Sequence, residues 1–223
     1  MYKKKSFFIT FEGIEGSGKS YQSKKLFKKV KSMKLPVIYT REPGGTVAAE
    51  KIRQLILDDY YYPGSKEKFD KYTDTLLYMA ARNEHIKKKI YPSILKKKII
   101  ICDRFIDSTL AYQVYGKGIS RNLVSNIHRY ILGRIKPDLT FVLKSKLSKA
   151  MQRLKKRKKK NRYDRFTKKF YYKIQKAFLK IAQTNKRKYM VVDNSFDTPR
   201  TEEIIYKKFI KTYSKWKQNI IKM

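Results

Sequence analysis

The sequence predicts an α/β fold, a five-stranded parallel sheet flanked by helices in three layers, and three observations carry that prediction. Short apolar runs rich in Ile, Val and Phe alternate with longer segments of helical periodicity. The first of those runs, Phe7-Phe8-Ile9-Thr10-Phe11, breaks into a glycine-rich loop and then into Lys19-Ser20 and helix-compatible sequence. No internal repeat and no domain-separating linker interrupts residues 1–223, so a single domain is expected.

The loop after the first strand is the most informative stretch. Gly13, Gly18, Lys19 and Ser20 fit the phosphate-binding pattern G-x-x-x-x-G-K-S/T, spelled here Gly13-Ile14-Glu15-Gly16-Ser17-Gly18-Lys19-Ser20. Such a loop wraps its backbone N–H groups around a diphosphate, and Gly13, Gly16 and Gly18 supply the backbone freedom this requires. The helix starting near Lys19 aims unpaired N–H groups and a positive dipole end at the same anion. Lys19 is placed to bridge the β- and γ-phosphates, and Ser20 to offer its hydroxyl to Mg2+.

The remaining elements follow in order. Residues 18–33 place Tyr21, Leu26, Val30 and Met33 at roughly helical spacing, as in an amphipathic helix beside a sheet. Residues 36–40 form a second strand, and a turn of charged and glycine residues precedes a helix over 47–57, with Thr46 as its cap. A turn at the carboxyl end of such a strand sits where open α/β sheets bind ligands. Residues 59–68 are a polar surface connection, and a helical pattern over 70–90 ends near Pro92. Arg82 and Glu84 fall among apolar neighbours of that helix, where a binding role competes with a salt-bridged surface. His85 reads as structural.

Residues 98–102 are the clearest central strand, delivering Asp103-Arg104 at its carboxyl end. A carboxylate there is suited to a magnesium shell, and the adjacent guanidinium can grip a phosphate with two hydrogen bonds. Helical segments over 105–115 and 120–133 lead to a fourth strand at 138–143. Residues 144–188 then carry 20 Lys+Arg against one acid, Asp164, including six consecutive basic residues at 155–160. Such a run repels itself until an anion neutralises it, so a mobile lid over about 153–165 is expected. A nucleic-acid patch and a solvated helix face are the competing readings. A helix over 165–183 with Phe166, Phe170, Ile174, Phe178 and Ile181 inward, a fifth strand at 189–192 and a helix over 199–217 complete the chain.

Composition sets the outer bounds. A net charge of +38 attracts nucleotides, nucleic acid or anionic membrane without choosing among them. Cys102 is the only cysteine, which excludes an internal disulfide and a cysteine-based zinc site, and its apolar surroundings suggest a buried, inert thiol. The apolar run after Lys3-Lys4-Lys5 is too short for a signal-peptide core, and no stretch approaches a membrane span of about 18 apolar residues. A cytoplasmic protein is the expectation.

Taken together, Phe11 through Ser20, Arg41-Glu42-Pro43-Gly44-Gly45-Thr46, Leu76-Leu77-Tyr78-Met79-Ala80-Ala81-Arg82, Asp103-Arg104-Phe105, Ser108-Thr109 and Ala111-Tyr112-Gln113 resemble the bacterial thymidylate kinase family in order and spacing. Lys136-Pro137-Asp138-Leu139-Thr140 and Asp164-Arg165-Phe166 extend the likeness to nearly the whole chain. The resemblance implies the three-layer P-loop kinase sandwich and transfer of the γ-phosphoryl of ATP to dTMP, with Mg2+. Tyr78 falls at the place of the family's thymine-stacking ring, Arg82 at its thymine-contacting arginine, and Thr109 and Gln113 where polar side chains meet the base. Tyr112 matches the ring that crowds the sugar, Arg53 and Arg104 the arginines that hold the acceptor phosphate, and Glu15 the loop acid beside it. Pro43 and Ser108 complete the implied acceptor site.

Because the phosphate loop has no arginine, the lid is expected to supply one, with Arg153 best aligned and Arg157 and Arg162 as alternatives. The chain departs from the family in Leu143-Lys144, where Leu-Asp is usual, and in a longer, lysine-rich lid. The resemblance also implies a homodimer, with no stable nucleic-acid or membrane partner. A related kinase for another nucleotide or nucleoside, or an ATP-dependent nucleic-acid-binding protein, are the alternatives.

Overall fold

The structure, a computed structural model, describes residues 6–58, 68–157, 161–196 and 198–221. The surface connection expected over 59–68 falls, except for its last residue, outside the described residues, as do Lys158, Lys159 and Lys160 of the basic run.

Strand β1 (Phe8–Glu12) is buried along its whole length, a continuous apolar run of the kind that parallel sheets cover on both faces. It leads through the glycine loop into α1 (Lys19–Ser32), followed by β2 (Val37–Arg41), α2 (Val47–Asp58) and α3 (Lys71–His85). A π-helical turn at Ile86–Ile90 and α4 (Tyr91–Leu95) precede β3 (Ile99–Asp103). Next come α5 (Ile106–Thr109), a second π-helical segment at Leu110–Gly116, α6 (Arg121–Leu132), β4 (Leu139–Lys144) and α7 (Leu147–Lys155). A 3-10 turn at Arg162–Arg165, α8 (Lys168–Gln183), β5 (Tyr189–Asp193) and α9 (Pro199–Ile221) end the order.

All five strands are parallel in the order β2-β3-β1-β4-β5. Strand β1 is therefore central, with Phe11 in register with Asp103 on one side and Phe141 on the other. Side chains alternate between faces. Phe7, Ile9 and Phe11 pack with Leu26 and Val30 of α1 and Phe209 of α9, while Phe8, Ile100 and Cys102 pack with Ile86, Ile90, Ile94 and Phe105. A third cluster sets Ile174, Phe178 and Ile181 of α8 against Ile14 and Tyr112, with Phe166 and Phe170 partly buried beside it. Among the described residues, no helix is long and apolar enough to cross a membrane.

Two local expectations are corrected. Tyr21 and Met33 are exposed rather than on the buried face of α1, whose stripe is Lys19, Gln22, Ser23, Leu26 and Val30. Helical structure also runs past Pro92 to Leu95, because the turn widens first and the Tyr91 N–H reaches back to the Ile86 carbonyl. Pro92 then falls in the first turn of α4, where its missing N–H costs little. Cys102 is fully buried, its Sγ donating to the Arg104 carbonyl at 3.0 Å, and burial pushes its thiol well above the ordinary cysteine value.

Candidate active site

The loop between β1 and α1 adopts the conformation its glycines allow. Gly13, Gly16 and Gly18 have φ of 141°, 72° and 86°. At Gly16 a Cβ would stand 2.3 Å from the Ala150 carbonyl oxygen, so α7 packs against bare backbone there. Lys19 is buried and donates to the Ile14 carbonyl at 3.1 Å. Burial and the nearby Arg104 cation bring its pKa down to about 8.

Arg153 supports the loop from behind. Its Nη1 donates to the Gly16 carbonyl at 3.0 Å and its Nη2 to the Asn194 carbonyl at 2.9 Å, while the Asn194 amide donates to the Ser17 carbonyl at 2.7 Å. Arg153 is not among the residues that line the cavity described below; Arg157 is, together with Asn161 and Tyr163.

The tip of β3 faces the same loop. Asp103 Oδ2 accepts from the Ser20 hydroxyl, and Oδ1 is buried with no partner among the described residues. Arg104 follows with φ of 71°, a conformation that a residue with a Cβ rarely holds and that its surroundings enforce here. Its N–H donates to the Phe11 carbonyl at 2.9 Å, its Nη2 to Glu15 at 2.5 Å and its Nη1 to Ser108 Oγ at 2.9 Å, and the guanidinium lies 5.3 Å from the Tyr112 ring centre. The Tyr112 hydroxyl donates to the second Glu15 oxygen. Burial pushes the Glu15 carboxyl up, but Arg104, Lys19 and this hydroxyl outweigh it and hold its pKa below the ordinary glutamate value. Glu12, at the end of β1, accepts from the Phe105 N–H at 2.7 Å and Ser108 Oγ at 2.6 Å, pinning the turn after Arg104.

These groups border a cavity of about 620 Å³. Glu15, Pro43, Arg53, Tyr78, Arg82, Arg104, Ser108, Thr109, Tyr112 and Gln113 all line it, alongside Lys19, Ser20 and Asp103. Residues far apart in the chain thus meet in one space. Arg53 donates to the Pro43 carbonyl at 2.8 Å. Arg82 forms a buried ion pair with Glu42 at 2.7 Å, and His85 Nδ1 donates to the other Glu42 oxygen at 2.9 Å, which gives that histidine the structural place expected of it. Gln113 Nε2 approaches Asp74 at 3.5 Å, and the same buried carboxylate receives Lys117 Nζ at 2.8 Å and Arg162 Nη2. The 3-10 turn at Arg162–Arg165 is thereby tied to α3.

Three contributors are not legible in the sequence. Glu42 stands inside the Arg41–Thr46 motif, but spacing does not reveal that it neutralises Arg82. Tyr163, edge-on to Tyr112 at 5.7 Å, lies in the basic segment, whose charge hid its aromatic residues. His128, whose Nε2 accepts from Arg82 Nη1 at 2.6 Å, carries no sequence signal of any kind. Among the described residues, no cluster of three or more His, Cys, Asp or Glu could by itself hold a metal ion. A lone unpartnered carboxylate oxygen beside a serine hydroxyl fits Mg2+, which is commonly held by one or two carboxylates plus phosphates and water.

A glycine cradle at a helix N-terminus, a strand-tip carboxylate and a cavity walled with arginines define a phosphate-loop nucleotide kinase. A family model for thymidylate kinase matches residues 11–205. A thymidylate kinase of Wolbachia pipientis wMel is 44% identical over 179 residues, covering 78% of this chain and 84% of that one. One of Pelotomaculum thermopropionicum is 36% identical over 200 residues, covering 89% and 88%. The crystal structure of thymidylate kinase from Ehrlichia chaffeensis superposes with a TM-score of 0.71 at 34% identity, covering 92% of this chain and 98% of that one. The chain belongs to the thymidylate kinase family.

Proposed function

We propose that this chain transfers the γ-phosphoryl group of ATP to dTMP, giving ADP and dTDP. The observation that carries the reading is a single cavity lined both by Lys19 and Ser20 of the phosphate loop and by the base- and phosphate-reading set Arg53, Tyr78, Arg82, Arg104, Thr109 and Gln113. A phosphate monoester has a second pKa of about 6, so dTMP is largely dianionic at pH 7 and needs no general base to act as nucleophile. Catalysis then consists of alignment and charge neutralisation.

In this reading residues 13–20 hold the ATP phosphates, and Lys19 follows the charge that develops between the β- and γ-phosphates. Arg104 and Arg53 hold the acceptor phosphate, with Glu15 fixing the Arg104 fork. Tyr78 stacks on thymine, Arg82, Thr109 and Gln113 read its edge, and Tyr112 crowds the sugar, with Pro43 and Ser108 completing the wall. Asp103 and Ser20 hold Mg2+, which when bound offsets phosphate charge. Arg157 of the basic lid over about 153–165 meets the transferred group. Arg153, the better-aligned candidate by sequence, instead braces the loop, a role supported by its bonds to Gly16 and Asn194. One domain, a homodimer and a cytoplasmic location belong to the same proposal.

The test is ADP release from ATP with dTMP, dCMP, dGMP or UMP as acceptor. Only dTMP should support rapid release, and Lys19→Ala should abolish it in a folded protein. ATP hydrolysis stimulated by DNA or RNA and indifferent to dTMP would overturn the assignment.

A further inference from the structure

Arg82 is nearly spent before any ligand arrives. A guanidinium has five N–H donors. Here Nε donates to Glu42 Oε2 at 2.7 Å, Nη1 to Thr109 Oγ1 at 2.8 Å and to His128 Nε2 at 2.6 Å, and Nη2 to the Phe105 carbonyl at 3.0 Å. One Nη2 donor is left. The group is 3% exposed and lies 5.4 Å from the Phe105 ring centre, so it cannot swing to offer another face.

We propose that His128 is a positioning residue for base discrimination, acting through Arg82 by anchoring Nη1 from behind and so fixing the direction of the one Nη2 donor left for the acceptor base. The inference rests on the dTMP reading above. His128 lies on α6, is itself buried and does not line the cavity, so it has no direct route to a ligand. A guanidinium never accepts, so the short contact requires His128 Nε2 to present its lone pair and the ring proton to sit on Nδ1. Burial and the Arg82 cation both oppose a second proton, outweighing the attraction of Glu42.

The chemical consequence concerns the edge of the base. Thymine offers a carbonyl acceptor beside an N–H donor, whereas cytosine offers an amino donor beside a ring-nitrogen acceptor. A single remaining Arg82 donor, with a Thr109 hydroxyl already accepting from Arg82 and therefore free to donate, suits one carbonyl. Without His128 the guanidinium loses an anchor, and its free Nη2 donor can tilt to reach the cytosine acceptor as well, which loosens the distinction.

The experiment compares full-length wild type with His128→Ala and His128→Gln in steady-state kinetics, using ATP with dTMP or dCMP. For His128→Ala the KM for dTMP should rise about tenfold, as for one lost hydrogen bond to a charged group. Its preference for dTMP over dCMP should narrow while the KM for ATP stays put. The Gln variant, whose amide oxygen can accept from Nη1, should recover most of the loss. Unchanged kinetics in His128→Ala, or equal changes in both substrates' KM, would overturn the proposal. Nitrogen-15 NMR of the wild type adds a readout independent of turnover, since the chain has two histidines and one resonance set vanishes in His128→Gln. An unprotonated Nε2 on His128 is expected, and a protonated one is fatal to the idea. A wild type that ignores dTMP would instead refute the parent reading, with the tautomer result standing apart.

Discussion

Arg104 concentrates several demands on one residue. It holds a left-handed backbone, closes the turn after β3 and directs both ends of its guanidinium, one to Glu15 and one to Ser108 and Gly13. Lysine keeps the charge and loses the planar fork, so Arg104→Lys should lower kcat/KM for dTMP about a hundredfold, with the KM for ATP little changed. Initial-rate kinetics with each substrate varied would check this, and equal losses for both substrates would contradict it. Arg104 was legible in the sequence because a strand tip in a phosphate-loop fold is a place with known chemistry. His128 was not, since it meets Arg82 across 46 residues and periodicity reports only neighbours a few residues apart.

At the level of elements, the strands and the Thr46 cap are legible in the sequence, whereas the caps Asp70, Ser120 and Thr167 and the helix irregularities are not. Each strand is a short run rich in apolar residues; β1, β3 and β4 are buried almost throughout, while β2 and β5, at the sheet edges, are only partly buried. The π-helical turns at Ile86–Ile90 and Leu110–Gly116 leave no mark in hydropathy, because one extra residue per turn is a response to packing. The second of them carries Ala111, Tyr112 and Gln113, so the irregularity turns the proposed sugar- and base-facing side chains inward. The glycine loop makes a sharper prediction. Gly16→Ala would need a Cβ at a φ of 72° and 2.3 Å from a backbone oxygen. It should cost about 2 kcal/mol or more of stability and weaken ATP binding, measured by thermal melting and nucleotide titration.

For the whole molecule, two buried groups bend stability with pH in opposite directions. His128 ordinarily titrates at 6.5 and is pushed down to about 3 by burial and Arg82. As pH falls through that window the unfolded chain takes a proton that the folded chain refuses, so stability is lost. Glu12, ordinarily 4.5, is pushed up to about 8 by burial and then by Asp107. The folded chain keeps a proton there that the unfolded chain releases, so its contribution is present below 4.5 and lost as pH rises through 8. Melting temperature should therefore fall both from pH 6.5 to 8.5 and from pH 4.5 to 3, the first arm vanishing in Glu12→Gln and the second weakening in His128→Gln. A flat profile between pH 6.5 and 8.5 would refute the assignment to Glu12. The lone thiol, sealed under β3, makes the native chain silent toward maleimides, so the rate at which Cys102 becomes labelled is a clock for opening of the central sheet. A reporter cysteine placed on the surface could then be tagged alone, without first removing a native one.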